Sequence, residues 1–124
     1  MLTVAGIGVG DLGRLELGVV GDVDDVEVVA GADPNPDARD AFEYEHGAPA
    51  YEDHGTMLDE ADPDAVLIVS PHTLHHRQAL DCLERGVHVH LEKPMVTDVD
   101  HAHELIAAGE ERDLTLAVGY QRHL

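Results

Sequence analysis

Three features of the sequence carry residue types and spacings that could do chemistry. The first is GVGDLG at residues 8–13, a Gly-x-Gly-x-x-Gly spacing that closes the apolar run 2–9. Gly8 would allow a tight turn, Gly10 the close approach of a pyrophosphate, and Gly13 the contact of a helix with a sheet. A pyrophosphate would then rest on the backbone N–H groups of Asp11 and Leu12, at the positive end of the helix dipole. The Asp11 carboxylate would not help to hold an anion, so its side chain is expected to point into solvent. The second feature is Asp33, 20 residues after Gly13, where a dinucleotide site needs an acceptor for the adenosine ribose hydroxyls. A carboxylate at that place repels a 2′-phosphate and favours NAD(H) over NADP(H). Arg39 is the nearest base that could soften this preference, and it is expected a turn or more into the following helix.

The third feature is Lys93, the only lysine; the other six basic residues are arginine. In a chain that otherwise carries no lysine, one kept at the carboxyl end of a parallel strand reads as functional, because α/β folds bind ligands at that edge. A partly buried amine has its pKa lowered and can take a proton from a hydroxyl, or polarise a carbonyl in the reverse direction.

The elements that must position these residues follow from the hydrophobic pattern. Short β-branched runs at 2–9, 26–32, 65–70, 87–91 and 114–119 predict strands. Val66-Leu67-Ile68-Val69 is apolar on both faces, as in a strand buried within a parallel sheet. Helical spacing predicts helices from near Leu12, over 34–47 with Gly47 ending it, over 73–85 with Gly86 at the C-terminal cap, and over 98–111. In 73–85 the apolar face is read as His76, Leu80 and Leu83; in 98–111 it is read as Val99, Ala102 and Ile106, with Thr97 and Asp100 as a capping-box variant. The stretches 21–25 and 61–64 are read as turns. Strands alternating with helices imply an α/β fold with right-handed crossovers and a mostly parallel sheet.

The stretch AVLIVSPHTLHHRQALDCLERGVHVHLEKPM (65–95), together with ADPNP (32–36) and VGYQRHL (118–124), resembles the Gfo/Idh/MocA family of glucose–fructose oxidoreductases, inositol dehydrogenases and rhizopine-catabolism proteins. The matching pieces are Ser70-Pro71-His72, His75, Leu83 to Gly86, Val87-His88-Val89 and Glu92-Lys93-Pro94. The resemblance implies a Rossmann-type doubly wound parallel sheet, a single NAD(P)-binding domain over residues 1–124. It implies that Gly8, Gly10, Asp11, Leu12 and Gly13 hold the pyrophosphate and Asp33 the adenosine ribose. Ser70, Pro71 and His72 would line the cofactor beside its nicotinamide half, and Glu92 would hydrogen-bond the nicotinamide ribose. Lys93 would reach the substrate hydroxyl or carbonyl, and Arg122 would stand near the substrate entrance. Two departures are local: Glu16 replaces a histidine common in the family, and GKHV has become GVHV. The larger one is length, since the family's second domain, which supplies most of the substrate pocket and the oligomer interface, is expected to begin where the chain ends at Leu124. The expectation is therefore the nucleotide-binding domain of an NAD-dependent oxidoreductase acting on a sugar, polyol or related hydroxy compound. The other reading is a stand-alone or truncated dinucleotide-binding module without catalysis. The resemblance also allows for a homo-oligomer.

Composition bounds the remaining classes. The 124 residues suffice for one domain with one core. With 26 acidic residues against 7 basic ones, the formal charge of −19 opposes binding to nucleic acid or an anionic membrane. The acidic residues are spread over every loop and helix, a pattern that resembles cytoplasmic proteins of salt-accumulating halophiles. No apolar run reaches the roughly 18 residues of a membrane span, and the N-terminus lacks the basic start of a signal peptide. The single cysteine, Cys82, fits a reducing cytoplasm and reads as packing. The ten histidines show no zinc-type spacing, so no metal site is expected.

Overall fold

The computed structural model describes residues 2–69, 74–92, 107–111, 114 and 116–119. In chain order the elements are β1 (Leu2–Ile7), α1 (Asp11–Gly21), β2 (Val26–Ala32), α2 (Pro36–His46), β3 (Ala50–Tyr51), α3 (His54–Ala61), β4 (Ala65–Ile68), α4 (His75–Glu84), β5 (His88–Glu92) and β6 (Leu116–Gly119). Among the described residues all strand pairs are parallel, in one six-stranded sheet of order β3-β2-β1-β4-β5-β6. The order reverses between β1 and β4, so the chain leaves these neighbouring strands toward opposite faces and opens a crevice at their carboxyl ends.

The sheet is covered on both faces, which explains strands without polar alternation. On one face Val4, Val9, Leu17, Ala38, Phe42 and Leu67 form a core beneath α1 and α2. On the other, Ile7, Met57, Leu58, Val66, Ile68, Cys82, Leu83, Val89 and Leu91 pack beneath α3 and α4. The only phenylalanine, Phe42, is fully buried, and its ring lies on Gly31 of β2. A Cβ at Gly31 would meet Phe42 Cζ at 3.0 Å and Val9 Cγ1 at 2.9 Å. Burying each large apolar side chain of this kind stabilises the fold by roughly 1.5–3 kcal/mol.

Helix boundaries follow local chemistry. α2 starts at Asn35, whose side chain accepts from Asp37 N, with Pro36 in its first turn, and it stops at left-handed Gly47. Asp53 caps α3 by accepting from Thr56 N. Gly86, at φ 78°, takes the chain out of α4, as its position in the sequence predicts.

Two expectations change. β3 and α3 are absent from the hydrophobic pattern, because β3 has two residues and α3 buries only the adjacent pair Met57 and Leu58. α4 turns Ala79, Cys82 and Leu83 into the core, while His76 and Leu80 sit at its margin. The helix expected over 98–111 is described only at 107–111, where it is helical; Val99, Ala102, Ile106, Thr97 and Asp100 lie outside the described residues. Among the described residues no helix is long and apolar enough to cross a membrane.

Candidate dinucleotide site

The residues singled out between positions 8 and 33 converge. Gly8, Gly10, Asp11, Leu12, Gly13 and Asp33 all line one cleft of about 650 Å³ at the carboxyl ends of β1 and β4. Ile7, Ala32, Val69, His54, Leu74, Arg77 and Gln78 complete much of its wall.

The glycine loop is held by contacts that only its sequence permits. Gly8 sits at φ 86°, a conformation that costs a side-chain-bearing residue energy, and its N–H donates to Ala32 O at 2.8 Å. A Cβ on Gly13 would fall on the Gly8 carbonyl oxygen, so a glycine here lets the first turn of α1 close over the loop. Gly10 is the N-cap of α1, with no side chain capping it and no protein atom within 4 Å of a Cβ built there. The first-turn N–H groups of α1 have no intrahelical acceptor. They form the border of the cleft, together with the positive end of the helix dipole.

Asp33 follows β2 directly and is half-buried. Its Oδ2 accepts from Val9 N at 3.0 Å and its Oδ1 from Asn35 N at 2.9 Å. Each oxygen retains acceptor capacity beyond that one bond, enough for a vicinal diol. Arg39 lies one turn into α2, as expected, and its guanidinium turns back, Nη1 donating to Asp33 O at 2.9 Å and Pro34 O at 3.0 Å. It braces the β2–α2 turn.

Two features of this region were not legible in the sequence. Arg14 donates from Nη1 to Val9 O at 3.0 Å, from Nη2 to Asp11 Oδ1 at 2.9 Å and from Nε to Glu45 Oε2 at 2.9 Å. Asp11 itself is fully exposed, as expected, yet paired. On the opposite wall His54 Nε2 lies 2.7 Å from Asp81 Oδ2, joining α3 to α4 beside Arg77. Next to His54, the Asp53 carboxyl is held below its ordinary pKa by hydrogen bonds from the Thr56 amide and hydroxyl.

Ser70, Pro71, His72, Lys93 and Arg122 lie outside the described residues, as does the side chain of Glu92. The Glu92 backbone ends β5 and pairs with Gly119 of β6, one register step beyond the row Ile7, Ile68, Leu91 and Val118. Cys82 is fully buried on α4, and burial pushes its thiol up to about 12. It is a packing group, as its surroundings in the sequence suggested.

The comparisons agree with this geometry. A family model described as oxidoreductase family, NAD-binding Rossmann fold, matches residues 2–120. The chain is 29% identical over 125 residues to 4-carboxy-2-hydroxymuconate-6-semialdehyde dehydrogenase of Sphingobium, covering 98% of this chain and 39% of that protein. It superposes on scyllo-inositol dehydrogenase from Lactobacillus casei, solved with NAD(H) and scyllo-inositol, with TM-score 0.89 and 27% identity. That match covers 96% of this chain and 36% of the other. A variant of the 3-ketoreductase KijD10 from Actinomadura kijaniata, solved with NADP, gives TM-score 0.88 at 30% identity, covering 95% and 38%. The chain thus spans less than two fifths of the length of each of these proteins.

Proposed function

The chain belongs to the Gfo/Idh/MocA oxidoreductase family, with its NAD-binding Rossmann fold, and from that premise we propose that its cleft holds NAD(H) for hydride exchange with a sugar, polyol or related hydroxy compound. The observation that carries this reading is the convergence of Gly8, Gly10, Asp11, Leu12, Gly13 and Asp33 on one cleft at the β1–β4 reversal. The residues fit the group. An uncapped helix start would face an anion, Gly13 lets the loop close beneath it, and Asp33 would offer acceptors to the ribose.

When bound, the nicotinamide supplies a hydride acceptor or donor. The chain's own residues do the rest. The N–H groups of Asp11, Leu12 and Gly13 take the pyrophosphate, and Asp33 takes the adenosine ribose and disfavours a 2′-phosphate, so NAD(H) is preferred over NADP(H). Ser70, Pro71 and His72 flank the nicotinamide half and Glu92 its ribose. Lys93 takes the proton as the substrate hydroxyl becomes a carbonyl, or returns it in reduction. Arg122 borders the substrate entrance. Of the proteins compared above, one carries NAD(H) with an inositol and another NADP; the Asp33 carboxylate supports a preference for NAD(H) in this chain.

The cofactor reading is tested by titrating NADH and NADPH in high salt with fluorescence detection. NADH binds at least about tenfold more tightly, equivalent to about 1.4 kcal/mol; equal affinities refute the assigned role of Asp33. The catalytic reading is tested in a protein that also contains a substrate-binding domain. Lys93→Ala abolishes turnover there and spares NAD affinity, and retained turnover removes Lys93 from the mechanism.

A further inference from the structure

We propose that Arg14 is the positioning residue of the pyrophosphate loop, acting through Val9 and Asp11 and without touching the cofactor. The inference rests on the dinucleotide reading above. Val9, the buried residue between Gly8 and Gly10, is gripped from both sides: its N–H donates to Asp33 Oδ2 and its carbonyl accepts from Arg14 Nη1, each at 3.0 Å. The residue joining β1 to α1 is thus pinned between an acidic group just beyond β2 and a basic group on α1. Fixing the Val9 carbonyl fixes the peptide that leads into Gly10. That in turn sets the direction of the first free N–H groups of α1. Such preorganisation removes an ordering cost from binding.

The second effect of Arg14 is electrostatic. Asp11 borders the cleft, and its solvent-exposed carboxylate is a negative charge on the first turn of α1, near where an anion would sit and opposed to binding it. Arg14 Nη2 pairs with that carboxylate at 2.9 Å. The arginine can serve both partners because its Nε is tied to Glu45 of α2 and its side chain is only 16% exposed. A planar guanidinium spans three acceptors at fixed angles, and a lysine ammonium cannot. With 7 basic residues against 26 acidic ones, one of the few cations is committed to this place.

The experiment compares NAD with adenosine, which has the ribose and base but no phosphate, on the wild-type chain, Arg14→Ala, Arg14→Lys, Asp11→Asn and the Asp11→Asn/Arg14→Ala double variant. Thermal unfolding is recorded on the same samples. Arg14→Ala weakens NAD by about tenfold or more and adenosine by less than about threefold, and Arg14→Lys recovers part of the NAD loss. In the Asp11→Asn background the cost of removing Arg14 shrinks, because the unpaired carboxylate is gone. Equal losses for NAD and adenosine overturn the proposal in favour of a general structural role, as does unchanged NAD affinity. If Arg14→Ala does not fold, the same comparison on Arg14→Lys decides, with a selective NAD loss expected and an equal loss overturning it. A wild-type chain that binds adenosine and NAD equally overturns the positioning role while leaving the cleft a nucleoside site. One that binds neither refutes the dinucleotide reading itself, and the proposal with it.

Discussion

Two glycines five residues apart on α1 have opposite requirements, and replacing each with alanine gives shifts of opposite sign. Gly18 has no atom within 4 Å of a built Cβ. Gly18→Ala therefore collects the helix-propensity difference, about 1 kcal/mol of added stability. Gly13→Ala collects the same propensity gain, but its Cβ would fall on the Gly8 carbonyl oxygen, with Val69 Cβ 3.8 Å away. The obstacle is backbone and cannot rotate aside, so α1 must move off the loop. Overpacking of this kind costs roughly 1–3 kcal/mol and more against a rigid partner, leaving a net loss of about 2 kcal/mol. For a chain of 124 residues, 1 kcal/mol corresponds to roughly 3–5 °C in Tm, interpolated between smaller and larger domains. Calorimetric unfolding in high salt without cofactor should show Gly18→Ala raised by about 3–5 °C and Gly13→Ala lowered by about 6–10 °C. Shifts of the same sign, or a Gly13→Ala variant as stable as the wild type, would refute the argument that loop and helix touch through this glycine.

Acid sensitivity gives a second test: Asp53 and Asp64 both have pKa values below their ordinary 3.8, Asp53 through bonds from Thr56 and Asp64 through bonds from Thr3. A carboxyl whose pKa is depressed on folding contributes stability in full above its unfolded value, and loses it as pH falls through the folded one. Asp53→Asn keeps a good helix cap but cannot titrate, so its Tm at pH 7 stays close to wild type while the loss as pH falls below the ordinary carboxylate value of 3.8 becomes shallower; an unchanged acid limb contradicts the assignment. Cys82 should resist a thiol reagent at pH 8 in the native state and react fully once unfolded; native labelling at the unfolded rate would show that α4 does not bury it. Gly10→Ala, where the structure leaves open space, should change apo stability by no more than about 1 kcal/mol, yet lower NAD affinity at least tenfold in a titration. Undiminished affinity would mean that the cofactor does not approach this backbone.

How much of this was legible in the sequence depends on where each constraint is stored. The glycine loop and Asp33 were readable because backbone geometry sets their spacing: Gly8 needs its positive φ, Gly13 its missing Cβ, and Asp33 the step after β2. The strands β1, β2, β4 and β5 were readable because burial on both faces leaves continuous apolar runs. α3 was not, since a helix that buries only Met57 and Leu58 shows no helical period. Arg14 gave no signal, because its three acceptors come from the loop, from α1 and from α2 and meet only in the fold. The His54–Asp81 pair spans 27 residues for the same reason. Arg39 stands one turn into α2, as expected, but the reach of its guanidinium back to Asp33 and Pro34 was not legible, because it depends on helical side chains leaning toward the N-terminus.

The central claim is that a dinucleotide lies on the glycine loop with its adenosine ribose at Asp33. At 13.4 kDa the chain suits amide-resolved NMR, and an NAD titration in high salt followed through backbone N–H resonances tests the claim most directly. Saturable shifts are expected to concentrate at Val9, Gly10, Asp11, Leu12, Gly13 and Asn35, and to be lost at matched concentration in Asp33→Ala. Shifts centred elsewhere, or the same shifts with equal affinity in Asp33→Ala, would contradict the claim.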